Sequence, residues 1–188
     1  IKECMKVKVK ICGIRSLEAA RAAIDAGADF VGFNFIPGEK RYIAPSKAKI
    51  IIMNVRNITQ IVGVFQNNEI DYVNTLVDQL HLDYAQLHGN ETYGKKVHTK
   101  VIKTIHTDEE FQYQYDILLV DREKSKLLSH NHRALMMLAG GLNSENVASS
   151  IKEFKPFAVD VARGIETDGM TDVEKIKEFI KRAKGVSV

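Results

Sequence analysis

The stretch Val7-Lys-Val-Lys-Ile-Cys-Gly-Ile14 packs a strand and a turn into its short span and leads into a helix. Val7, Val9 and Ile11 alternate with Lys8, Lys10 and Cys12, the two-residue period of a strand whose faces meet different surroundings. Gly13 punctuates the run. Ser16 then offers a helix N-cap, and an alanine-rich helical pattern continues to Gly27. A thiol therefore stands at the carboxyl end of a strand, where α/β proteins gather their ligand chemistry. Cys12 is the first candidate residue.

Seven further apolar runs follow, at 29–35, 61–66, 83–88, 100–105, 116–120, 136–139 and 157–161. Between them, residues 16–27, 46–55, 69–81, 143–153 and 171–184 carry apolar spacing near 3.6, with Ser16, Ser46 and Thr171 as capping residues. The gaps after the fourth, fifth and sixth runs are shorter and less helical. Strands alternating with helices must run parallel, because each crossover returns the chain to the same end. Eight such units predict an α/β fold of the closed (β/α)8 or TIM-barrel type, one domain over 1–188 with minimal insertions. The competing architecture, an open doubly wound sheet, is disfavoured because the first turn lacks a Gly-x-Gly-x-x-Gly pattern.

Strand parity then places side chains. Val7, Val9 and Ile11 are expected to face outer helices, and Lys8, Lys10 and Cys12 the barrel interior. Leu118 and Val120 face outward in the sixth strand, which turns Asp121 into the mouth. Tyr84, Gln86 and His88 share one face of the fourth.

Composition excludes several classes. With 188 residues, 45% hydrophobic and 27% charged, the chain has ordinary globular make-up. The net charge of +3 is unclustered, and no basic run interleaved with aromatics points to nucleic acid. No apolar run reaches the roughly 20 residues of a membrane span. No signal-peptide core stands at the start, so the expected location is cytoplasmic. The string opens on Ile1 rather than Met. Met5 reads as a native start, with residues 1–5 as an N-terminal extension. Two cysteines, Cys4 and Cys12, make no disulfide framework, and without a spaced His pair they make no metal site.

Each candidate has an ordinary structural role beside a chemical one. Cys12 serves either as a small buried side chain or, with Lys10 and the turn amides lowering its pKa, as a thiolate base or nucleophile. Asp121 is either a rim cap or a general acid, the latter requiring partial shelter from water. Arg41, in the loop Pro37-Gly-Glu-Lys-Arg-Tyr42, has the fork to grip a carboxylate, while neighbouring Lys40 reads as surface. Gln86 and His88 line the pocket, His88 reading equally as a satisfied barrel histidine. Lys103 is expected to point inward. Finally, Ala139-Gly-Gly-Leu-Asn143 opens a helix after the seventh strand, and Asp160-Val-Ala-Arg-Gly-Ile-Glu166 follows the eighth. Glycine loops at these two places fit the common phosphate site of barrels.

Taken in order, Lys10-Ile-Cys-Gly-Ile14, Gly32-Phe-Asn-Phe35 with Lys40-Arg-Tyr-Ile43, and Val62-Gly-Val-Phe65 with Asn67 form one recurring set. It continues through Gln86-Leu-His-Gly89 with Glu91, Leu118-Leu-Val-Asp121, Ala139-Gly-Gly-Leu142 with Asn146-Val147, and Asp160-Val161 with Gly164-Ile-Glu166. The ordered set resembles phosphoribosylanthranilate isomerases of tryptophan biosynthesis across nearly the whole chain. The resemblance implies an Amadori rearrangement of N-(5-phosphoribosyl)anthranilate without a cofactor, since the substrate nitrogen supplies the electron sink. It implies Cys12 as general base, Asp121 as general acid and Arg41 on the anthranilate carboxylate. It further implies Gly140, Gly141, Ala162, Arg163 and Gly164 around the phosphate. The implied partner is the phosphorylated sugar-anthranilate substrate, with the chain a monomer or homodimer.

Two departures stand out. Ala162-Arg163 stands where the family usually has Ser-Ser or similar, trading a hydroxyl contact for the Arg163 charge. The segment after Asp121 is also short, only 14 residues separating it from Met136. Two alternatives stay open. One is another sugar-phosphate barrel enzyme of the indole-glycerol-phosphate synthase kind, using Lys10 or Lys103. The other is a phosphate-binding barrel without catalysis.

Overall fold

The computed structural model describes residues 6–93, 96–106, 115–124 and 135–186. Eight parallel strands close in sequence order: β1 (Lys8–Cys12), β2 (Phe30–Asn34), β3 (Gln60–Phe65), β4 (Tyr84–Leu87), β5 (Lys100–Ile105), β6 (Ile117–Asp121), β7 (Leu135–Ala139) and β8 (Ala158–Val161). β8 returns to pair with β1 through Lys8–Ala158 and Ile11–Val161, so the expected closed barrel stands and the open sheet does not. Five α-helices lie among the described residues: α1 (Leu17–Asp25), α2 (Pro45–Val55), α3 (Ile70–Leu80), α4 (Val147–Phe154) and α5 (Val173–Lys184). A two-stranded hairpin, β9 (Glu166–Thr167) and β10 (Met170–Thr171), interrupts the path from β8 to α5. None of these helices is long and apolar enough to cross a membrane.

The eight-strand pleat divides the apolar residues into two cores. Phe30, Val62, Ile102, Ile117, Leu119, Met137, Ala139 and Ala158 fill the inside of the barrel. Val9, Ile11, Leu118 and Val120 belong to the larger layer between sheet and helices, as the alternation required. Lys8 is a correction. It shares the parity of Lys10, but at the amino end of β1 its side chain is 46% exposed and pairs with Asp29. There the interior has already opened to water.

Local chemistry sets the helix ends. Ser16 does cap α1, its Oγ accepting from the Ala19 N–H at 3.1 Å. Ser46 does not cap α2, because Pro45 already occupies the first turn and Ala44 takes the N-cap position. At α5 the cap is Asp172 rather than Thr171, accepting from Glu174 and Lys175. α4 begins only at Val147. Asn143 and Asn146 first exchange side-chain hydrogen bonds with each other's backbone and build a turn ahead of it. Residues 1–5, with Cys4 and Met5, lie outside the described residues, as does most of the short segment after Asp121.

α5 packs across the α1 side of the barrel with Ile176, Phe179, Ile180 and Ala183 buried. Phe179→Ala is expected to lower unfolding free energy by about 3–5 kcal/mol, read from chemical denaturation. A loss below about 1 kcal/mol would mean that this helix contributes little to holding the barrel closed.

Candidate active site

The inward-facing polar residues gather at the carboxyl-terminal rim. Around the closed circle the order is Asp121 at the end of β6, the glycine loop after β7, the turn after β8, Cys12 at the end of β1 and Arg41 beyond β2. The phosphate-type loops therefore lie between the carboxyl and the thiol, and the arginine lies on the thiol's far side.

Cys12 is half-buried. Burial pushes its thiol up, and the Lys10 ammonium opposes that rise. Lys10 is fully buried and reaches across the barrel, donating at 2.8 Å to both Gln86 Oε1 and Asp160 Oδ1. Burial, the largest single influence, would lower Lys10, but the Asp160 carboxylate and the Cys12 sulfur together outweigh it and the lysine stays charged. Gln86 thus holds Lys10 from the opposite wall.

Asp121 ends β6 with Oδ1 accepting the Glu123 N–H at 2.9 Å. Gly140, at φ +91°, lies against it so closely that a Cβ there would meet the Asp121 Cγ at 2.6 Å. Only glycine fits this position, because it needs both the left-handed backbone and the missing side chain. The glycine loop after β7 is thereby built around the acid. The two rim loops also touch each other, since a Cβ on Gly164 would land on the Leu142 carbonyl. Gly141 sits at φ +62° in the same turn. Ala162 precedes a 3-10 turn, Arg163–Ile165, in which Arg163 is exposed.

Arg41 is held by a residue 125 positions away: its Nε and Nη2 donate to Glu166 at 2.7 and 2.9 Å. That bond lifts the guanidinium above its usual value. Arg41 Cδ also packs where a Gly13 Cβ would stand, directly after Cys12. Lys40 is exposed as expected, and its carbonyl accepts from Arg15. Glu166 belonged to the quoted sequence set without an assigned role.

The two remaining candidates divide. His88 lies at the rim of β4 with Nδ1 3.1 Å from Thr104 Oγ1, its ring edge-on to His106. Burial, then the neighbouring His106, lowers His88, so it is neutral near pH 7. Lys103 is a correction. Its strand neighbours Val101 and Ile105 belong to the outer core while Ile102 lines the inside. Lys103 accordingly points out of the barrel, donating to the Gly89 carbonyl beside Glu91. Glu91 in turn accepts from the Asn67 N–H at 2.5 Å, so this knot fastens the tops of β3, β4 and β5.

A thiol, a carboxyl and an arginine on one barrel rim, with glycine loops after strands seven and eight, define an acid–base barrel enzyme for a small phosphorylated molecule. Comparison with known proteins narrows the class. Residues 9–182 match the family of N-(5'-phosphoribosyl)anthranilate (PRA) isomerases. The N-(5'-phosphoribosyl)anthranilate isomerase of Bacillus cereus strain B4264 is 37% identical over 204 residues, covering 96% of this chain and all of that protein. That span exceeds the 188 residues here, so the relative carries extra residues within the match. The Thermotoga maritima phosphoribosyl anthranilate isomerase superposes with a TM-score of 0.88 at 37% identity, over 96% of this chain and 100% of that one. A phosphoribosyl anthranilate isomerase in complex with reduced 1-(o-carboxyphenylamino)-1-deoxyribulose 5-phosphate gives 0.86 at the same identity and coverage. The chain belongs to the phosphoribosylanthranilate isomerase family.

Proposed function

We propose that this enzyme of tryptophan biosynthesis rearranges N-(5'-phosphoribosyl)anthranilate to 1-(2-carboxyphenylamino)-1-deoxyribulose 5-phosphate, with Asp121 as acid and Cys12 as base. The observation that carries the assignment is the rim order: acid, two glycine loops, thiol, arginine. An extended substrate fits that order with its phosphate at the loops around Gly140, Gly141, Ala162, Arg163 and Gly164. Its anthranilate carboxylate then reaches Arg41.

Asp121 protonates the furanose ring oxygen as the ring opens, leaving a Schiff base between the first sugar carbon and the anthranilate nitrogen. The iminium draws electrons from the second carbon and acidifies its proton. The Cys12 thiolate removes that proton, and the resulting enol tautomerises to the ketone. Arg41 spends Nε and Nη2 on Glu166, so Nη1 is the nitrogen left for the substrate carboxylate. Its fork is held in place before substrate arrives, which limits the ordering cost of binding. His88 and Gln86 complete the wall beside the sugar.

Arg41→Met tests the carboxylate end. Losing a charge-assisted hydrogen bond of about 1.5–3 kcal/mol is expected to raise KM about 10–100-fold. Competitive inhibition by inorganic phosphate should stay unchanged, because the phosphate loops are untouched. An unaltered KM would place the anthranilate elsewhere. The activity itself is tested by incubating the protein with phosphoribosylanthranilate. Loss of that compound's fluorescence without an indole product fits the isomerase, and an indole product would contradict it.

A further inference from the structure

Lys10 is the one buried cation inside the described barrel that the acid–base steps leave without a task. Its ammonium has three donors. Two point to Asp160 on β8 and Gln86 on β4. The third is left over on the face of β1 that Lys10 shares with Cys12, whose sulfur the ammonium favours in its charged form. Gly32 on β2 makes room for both: a Cβ there would come within 3.0 Å of Cys12 Sγ and 3.3 Å of Lys10 Cε.

We propose that Lys10 is a positioning residue that serves as built-in counter-ion to a Cys12 thiolate, anchored by Gln86 and shared with the competing carboxylate of Asp160. The inference rests on Cys12 being the base and adds the group that makes its anion tolerable. Burying a lone thiolate is costly, whereas one facing a fixed ammonium is compensated. The other charges bearing on the sulfur are Asp160, which opposes the anion, and Arg41, itself paired with Glu166. The Gly13 N–H adds a hydrogen bond from the turn. β2 contributes only Gly32 at this height, and α5 lies behind the strand, against its other face. Lys10 is therefore the positive charge that bears most strongly on the sulfur.

The test is the pH dependence of Cys12 alkylation by iodoacetamide in a Cys4→Ser background, where one thiol remains. Lys10→Met is expected to move the midpoint up by about one pH unit, which slows alkylation at neutral pH about tenfold. Lys10→Arg should restore most of the shift. Asp160→Asn should move the midpoint down, because the competing carboxylate is gone. It also keeps the proposal testable if Lys10→Met does not fold. A midpoint in folded Lys10→Met equal to the parent's would overturn the proposal, as would an unchanged or higher one in Asp160→Asn. Alkylation reads the thiol without turnover. If the alkylation midpoint shifts and the ascending limb of kcat/KM does not, the counter-ion stands and Cys12 as base fails.

Discussion

Cys12→Ala is expected to cut kcat/KM by about 10²–10⁴-fold, the usual contribution of a positioned general base. The change removes only the Sγ beside Gly32 and adds no polar atom to the barrel. Folding should therefore survive, and so should affinity for the reduced rearranged product, whose phosphate and carboxylate contacts lie elsewhere. The loss should fall on kcat as well as kcat/KM, because proton removal is a transition-state interaction. The wild-type pH profile carries the same signature. A base must lose its proton to act, so kcat/KM climbs as pH rises through the thiol's titration. Burial, the largest influence on Cys12, raises that titration and places the climb on the alkaline side of an ordinary thiol. Near wild-type turnover in Cys12→Ala would remove the sulfur from the chemistry.

Asp121→Asn is expected to cost a similar 10²–10⁴-fold, for the complementary reason that an amide cannot donate the proton the ring oxygen needs. The substitution is nearly isosteric. Asn can still accept from the Glu123 N–H and pack against Gly140, so the loop after β7 should keep its shape. A fall in turnover with unchanged thermal stability and unchanged phosphate inhibition would isolate proton donation. If Asp121→Asn retained full activity, Asp121 would be only the rim contact that shapes the glycine loop.

Parity was the strongest guide in the sequence. Alternation in Val7–Cys12 put Lys10 and Cys12 inside, because that run mixes apolar and polar residues in register. At the end of β6 Asp121 is the single polar residue, and its place at the strand's carboxyl end put a carboxyl in the mouth. Parity failed in Lys100–Ile105, where apolar residues occupy both faces and Lys103 has no visible phase. It also could not see that Lys8 lies below the packed interior. Closure joins residues far apart in the chain: Lys10 meets Asp160 150 positions on, and Arg41 meets Glu166 125 positions on. No local pattern carries such pairs, so the partners of both cations became legible only in the fold. The dual duty of Gly140, turning the chain and seating Asp121, was hidden for the same reason.

The most direct measurement is a crystal structure of this protein with the reduced 1-(o-carboxyphenylamino)-1-deoxyribulose 5-phosphate bound. Its phosphate is expected between the loops after β7 and β8, and its carboxylate on Arg41. Cys12 Sγ should lie within about 3.5 Å of the second sugar carbon, the reach needed for proton transfer. A phosphate bound away from those loops, or a sugar that lies beside neither Cys12 nor Asp121, would contradict the assignment of base and acid.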